Sequence, residues 1–301
     1  MYKRQVGNIL QIQIVEKERH GWDNGMFLEG PLLNSGEITY WNEDAAPIRQ
    51  ICFAEVKARS TFLAVRLQRR TVILHPTYVH HRKAGNRSEF FDLPPSTIDP
   101  CLIHSITAEE TGGIPHAHVA FNSEYQRQIG IVDEQGNWSI WDIDNGYRND
   151  DYKVTCSAVG SVASSIDDAS TSPGPSKSVK EDGWARMLWV GDANTVAVVT
   201  RRHMVVCNVK AGLMPLTTPR VISERSADWI LDAERHPSNK KLFFILTSTR
   251  LFLVTVTPPS DDHGFVQVEP GATVLLSWTH FRGAEDITLQ LCVHKSSHEG
   301  M

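Results

Sequence analysis

The chain contains no apolar run longer than a handful of residues, far short of the roughly 18 that a membrane-crossing helix needs, so no membrane span is expected. Cysteine is scarce. Cys52, Cys101, Cys156, Cys207 and Cys292 never fall in a CxxC spacing, and several stand in apolar stretches, which predicts reduced core thiols rather than a disulfide framework. Concentrated positive charge is also missing: 30 Lys and Arg face 35 Asp and Glu, for a net charge of −5. A protein that grips duplex DNA alone shows a basic cluster, because phosphate neutralisation supplies most of the affinity; unaided DNA binding is therefore not expected. Nor is there a GxSxG, a P-loop, an HExxH or a Gly-rich turn opening a helix, so no catalytic residue and no cofactor are expected. The N-terminal MYKRQVGNILQIQIVEKE alternates apolar with polar residues, which predicts a strand rather than a signal peptide and an intracellular protein.

What the chain does have is a repeated pair of short apolar segments. LAVRL (63–67) turns into TVILHP (71–76), IGIVD (129–133) into WSIWDI (138–143), VAVVT (196–200) into MVVCNV (204–209), and FFILT (243–247) into LFLVTV (251–256). Each segment is strand-length, rich in Val, Ile, Leu and Phe, and bounded by polar turn residues, so each pair reads as a β-hairpin. A further apolar segment precedes each hairpin: 51–56, 118–122, 186–190 and 229–234. Repetition of such a unit predicts an all-β, WD-like β-propeller of about five recognisable blades, incomplete or completed by chain beyond this sequence, forming one domain over 1–301. Its clearest blade is HVAFNSEYQRQIGIVDEQGNWSIWDI (118–143), whose signature residues are Gly136, Trp138, Trp141 and Asp142. Trp138 and Trp141 stand an odd number of positions apart, which sends them to opposite faces of the sheet. Equivalent strands recur at intervals longer than the roughly 40 to 45 residues of a compact WD repeat, so insertions are expected between blades. A polar one covers about 82–99; a second, rich in Ser, Asp, Gly and Pro over about 157–182, reads as a disordered loop.

Candidate chemistry is thin. His116 and His118 have an HxH spacing and His80-His81 adds two imidazoles, but no Cys or carboxylate pattern completes a metal site, so no metal is expected. The Arg69-Arg70 and Arg201-Arg202 pairs lie in hairpin turns, where solvated charge is the ordinary outcome. Apolar inward positions such as those of LAVRL and VAVVT would leave little room for chemistry at a propeller axis.

Five blocks carry a resemblance: EITYWNEDAAPIRQICFAE (37–55), TGGIPHAHVAFNSEYQRQIGIVDEQGNWSIWDI (111–143), DGWARMLWVGDANTVAVVTRRHMVV (182–206), DWILDAERHPSNKKLFFILTSTRLFLV (228–254) and LLSWTHFRGAEDITLQL (275–291). In order and content they resemble the β-propeller subunit of the fungal RNA polymerase I core factor. The resemblance implies a non-enzymatic initiation factor of the nucleus and nucleolus. Its partners would be the other core factor subunits, the TATA-binding protein and RNA polymerase I, and the ribosomal DNA promoter would be contacted mainly through the complex. Which residues bind partners is not implied. Gln135 stands where a regular WD repeat commonly has Asp, and the other hairpins lack the Trp-Asp pair, so packing rather than the WD hydrogen-bond network is expected to join the blades. Family members tend to be longer, with more chain before the propeller and a helical region after it, which leaves ring closure open. Two other classes fit the same repeats: a general WD-like adaptor of ubiquitin-ligase or coat type, and a propeller hydrolase or lyase with carboxylates or histidines converging on the axis.

Overall fold

A computed structural model describes residues 7–22, 26–42, 46–54, 62–79, 97–145, 152–163, 182–210, 214–223, 225–259, 269–283 and 286–294. All regular elements among the described residues are strands. Four antiparallel four-stranded sheets carry the architecture, each a meander running outward from the axis. Blade one is β3 (Gln50–Phe53), β4 (Leu63–Arg66), β5 (Arg70–Leu74) and β8 (Leu102–Thr107), with a two-stranded excursion, β6 (Thr77–Val79) and β7 (Thr97–Asp99), between its last two strands. Blade two is β9 (His116–Phe121), β10 (Gln128–Asp133), β11 (Asn137–Asn145) and β12 (Tyr152–Ser161). Blade three is β13 (Ala185–Trp189), β14 (Thr195–Thr200), β15 (Met204–Asn208) and β16 (Met214–Leu216), and blade four is β17 (Ile230–Arg235), β18 (Leu242–Thr247), β19 (Arg250–Thr257) and β20 (Gly271–Thr279). Ahead of blade one, β1 (Leu10–Trp22) and β2 (Met26–Trp41) form a long hairpin.

The middle of each blade follows from composition. Second strands such as QIGIVD and TVAVVT are buried on both faces, because each blade is covered by a neighbour on either side. Three apolar clusters join successive blades: Ala64, Ile73, Phe121 and Trp141 between blades one and two; Trp138, Met187, Val198 and Cys207 between two and three; Ile230, Phe243, Val199 and Val206 between three and four. The innermost strands β3, β9, β13 and β17 lie side by side round the axis.

Several expectations are corrected. The repeat 118–143 does not end its blade at the Trp-Asp pair, which sits in the third strand; β12 follows as the outermost strand, so residues 157–161 belong to a sheet rather than to the insertion. Residues 97–99 of the polar insertion form β7. Residues 82–96 and 164–181 of the two insertions lie outside the described residues, as do His80 and His81. The five cysteines are not joined in disulfides, yet only Cys207 is buried, while Cys156 and Cys292 are exposed. LAVRL and VAVVT supply second strands and not the axial lining.

Candidate functional site at the propeller axis

The axis is lined by β3, β9, β13 and β17 and the residues that lead into them, and it is polar. One cavity of about 360 Å³ is walled by Arg49, Gln50, Arg66, His118, Arg186 and Asp232, and Gln290 and Leu291 close it. Each innermost strand reaches its neighbour through a polar side chain. The Gln50 amide spans blades one and two like a strand backbone: its Nε2 donates to the Val119 carbonyl at 2.8 Å and its Oε1 accepts from the Val119 amide at 3.1 Å. Trp189 Nε1 of blade three donates to the Ala120 carbonyl of blade two at 3.1 Å. From blade three, the Arg186 guanidinium pairs with Asp232 and, at 2.8 Å, with Glu234, both on β17. The Leu291 amide then donates to the other oxygen of Asp232 at 2.7 Å.

Burial sets the protonation of the axial groups. His118 is held well below the ordinary imidazole value, first by desolvation and then by Arg186 and Arg66, and stays neutral. Its Nδ1 accepts from the Met187 amide at 3.4 Å. Burial also raises the Glu234 carboxyl, against the pull of Arg186. Arg66 is lowered to about 10 by burial and by Arg49 beside it; it donates to the His116 carbonyl at 2.6 Å.

His116 is itself almost fully buried. Its ring nitrogens lie 2.9 Å from the hydroxyls of Thr71 in blade one and Thr111. The HxH pair is thus divided, His116 being directed to blade one and His118 to blade three. Among the described residues no three His, Cys, Asp or Glu side chains gather as a metal site. The axial carboxylates Asp232 and Glu234 are held by Arg186, and the arrangement clasps neighbouring strands.

The four signature residues sit together in blade two. Gly136 adopts φ +82° in the β10–β11 turn, and a Cβ there would lie 2.8 Å from Thr200 of blade three, which excludes a side chain. Trp138 packs towards blade three and Trp141 towards blade one, on opposite faces as their spacing requires. Trp138 lies over Gly160 of β12, where a Cβ would come within 2.5 Å of the indole. Asp142 accepts from Gln128 Nε2 at 2.8 Å.

Sequence reasoning missed Asp133, which organises this turn by accepting from the Gln135 and Asn137 amides at 2.8 and 2.9 Å and from Asn137 Nδ2 at 2.8 Å. The D-x-x-x-N spacing was the available signal. It also missed Arg201, which is buried rather than solvated. Arg201 is bonded to Asp182 at 2.6 Å, donates to the Ile230 carbonyl at 2.9 Å and lies 4.6 Å from the Trp184 ring and 5.6 Å from that of Trp229. Polar clasps therefore supplement packing between blades. Trp184 and Trp229 are occupied by this arginine, whereas Trp278 on β20 remains exposed.

Comparison with solved structures shows the fold. The crystal structure of Saccharomyces cerevisiae core factor matches with a TM-score of 0.58 at 16% identity, covering 94% of this chain and 38% of that one. The chain thus spans well under half of the yeast chain it resembles. Chaetomium thermophilum Sqt1 bound to the N-terminus of the ribosomal protein L10 is similar at a TM-score of 0.48 and 12% identity, over 83% of this chain and 54% of that one. No curated protein matches the sequence. Residues 2–300 match the family described as Rrn6, beta-propeller, and on that span the chain belongs to the Rrn6 β-propeller family.

Proposed function

We propose that this propeller is a non-enzymatic scaffold subunit of an RNA polymerase I core factor, supporting promoter recognition and pre-initiation complex assembly at ribosomal DNA in the nucleolus. The observation that carries the reading is the family match over residues 2–300. The axis supports it chemically, since the ionisable groups described there bind neighbouring blades and serve as structural clasps. Rigid blades held this way present fixed loops and rims, on which a few buried aromatic or arginine contacts carry most of the affinity of a partner. Other core factor subunits are the expected direct partners, with the TATA-binding protein and polymerase I engaged in the larger assembly. A net charge of −5 leaves DNA contact mainly to those partners.

The test is affinity purification of the tagged full-length gene product from its own cells, with co-purifying proteins identified by mass spectrometry. Recovery of the other core factor subunits at near-stoichiometric amounts is expected. Coat or ubiquitin-ligase components in their place would overturn the reading in favour of a general adaptor.

A further inference from the structure

The end of the axis where the chain enters β3 carries two guanidiniums that no bonded carboxylate balances. Arg66 of β4 pairs with Gln50 of β3, and the Arg49 amide donates to the Arg66 carbonyl at 2.8 Å, so the two arginines stand on adjacent strands at one level. Like charges in that register repel. Burial and the Arg49 charge both lower Arg66, and only Glu134 acts the other way. Arg66 directs Nη1 to the His116 carbonyl at 2.6 Å and Nε to Gln50 Oε1 at 3.3 Å, both neutral acceptors. Arg49 is exposed at the mouth, and its guanidinium makes no hydrogen bond or ion pair among the described residues.

Deeper in the same cavity two donors face each other. His118 is neutral and its Nδ1 accepts from the Met187 amide, so its one ring proton is on Nε2. Arg186 Nε lies 3.5 Å from that nitrogen, and a guanidinium can only donate. The other tautomer moves the conflict to the Met187 amide, which is a donor as well. A neutral imidazole has one acceptor nitrogen, and here it meets two obligate donors. The remaining nitrogens of Arg186 are engaged by Asp232 and Glu234. Asp232 is the one carboxylate of this cavity's wall among the described residues, and both its oxygens are in use: one accepts from Arg186 and the Ala233 amide, the other from the Leu291 amide. The wall therefore has N–H groups to spare and no free acceptor, and an N–H left unmatched away from water is costly.

We propose that this cavity is an anion site for a single carboxylate, presented by an acidic side chain of a partner segment that enters the axis from the Arg49 side. Arg49 and Arg66 would grip the carboxylate, and the His118–Arg186 donor pair would meet it at the inner end. Charge selects the ligand. Arg49, Arg66 and Arg186 face Asp232 and Glu234, which leaves one positive charge over; Glu134 lines the neighbouring cavity, packed against Gly183. One carboxylate cancels that surplus, whereas a phosphate dianion overshoots it. The free fork of Arg49 also matches a planar carboxylate in bidentate fashion. A volume of about 360 Å³ admits a side-chain head group. The site is a property of the propeller alone and holds whichever complex the chain joins.

The test titrates the isotope-labelled full chain with an acetylated, amidated Gly-Glu-Gly peptide and follows the arginine Nε–H and histidine ring resonances by NMR. Saturable shifts at Arg186 and His118 are expected in the millimolar range, weakened about tenfold or more in Arg49→Gln. A melting curve of that variant matching the natural chain shows that the loss is not unfolding. Arg49→Lys should retain part of the binding, and Arg69→Ala, in the β4–β5 turn of the same blade, should leave it intact. A Gly-Gln-Gly peptide should give no saturable shift. The proposal is overturned if Gly-Glu-Gly produces no saturable shift, or if Arg49→Gln binds it as well as the natural chain does. Tighter binding of inorganic phosphate than of the peptide would overturn the assignment to a carboxylate.

Discussion

The interface between blades two and three is filled mainly by tightly packed apolar side chains, whereas the one between blades three and four is pinned by a buried charge. In the first, Met187 fills the space above Gly130, where a Cβ would lie 2.4 Å from its sulfur, and Trp138 fills the space above Gly160. In the second, Arg201 bonds to Asp182 and to the Ile230 carbonyl between two tryptophans. One interface depends on volume and the other on a satisfied cation. The first should be intolerant of size changes, and the second should respond to the identity of the charge.

The largest expected effect tests the apolar side. Trp138→Ala should cost about 3–5 kcal/mol, read by denaturant unfolding, because a large buried ring leaves a cavity that its rigid neighbours cannot refill. A loss under about 1 kcal/mol would mean that the blade collapses onto the gap. The charged side should come next: Arg201→Ala removes the ion pair to Asp182 and the bonds to the Ile230 and Leu231 carbonyls, with an expected loss of about 2–3 kcal/mol. Arg201→Lys should recover only part of it, since an ammonium cannot serve the carboxylate and the carbonyls in one planar fork.

A third comparison sets either interface against the His116 contact between blades one and two. Burial, helped by Arg66, holds His116 down to about 4, below its unfolded value of 6.5. The unfolded chain therefore binds the extra proton in that interval, so the stability is fully present above pH 6.5 and is lost as pH falls towards 4. His118 and His75 are shifted the same way and add to the slope. Thermal melts from pH 7 to 4 should show Tm falling through this window, and His116→Gln should flatten the fall without abolishing it. An identical slope in the variant would remove His116 from the account. The Asp182 carboxyl, lowered chiefly by its bond to Arg201, acts only further down, its contribution being lost below the ordinary carboxylate value of 3.8.

The smallest effect belongs to the exposed Arg69–Glu109 pair, both partners more than half open to solvent. Arg69→Ala should leave the denaturant midpoint unchanged within error, because solvent screens an exposed pair. Deleting residues 164–181 should likewise leave Tm nearly unchanged, and a drop of many degrees would show that the segment contributes to the core.

The second and third strands of all four blades could be read from sequence, because burial on both faces forces near-continuous Val, Ile, Leu and Phe. Outermost strands escaped. β12 and β20 face solvent along much of their length, so their apolar content thins and the pattern fades. The polar axis escaped for a different reason: Gln50, Arg186 and Asp232 are unremarkable in sequence, and only their convergence makes a clasp.

What the sequence determined by itself was the repeat, the hairpin order and the opposite facing of Trp138 and Trp141, all consequences of period-two geometry within one strand. Tertiary structure alone decided that Arg201 would be buried, that His116 and His118 would turn to different blades, and that residues near position 291 would reach the axis. Those outcomes depend on which surfaces meet across tens of residues, and local pattern carries no information about that.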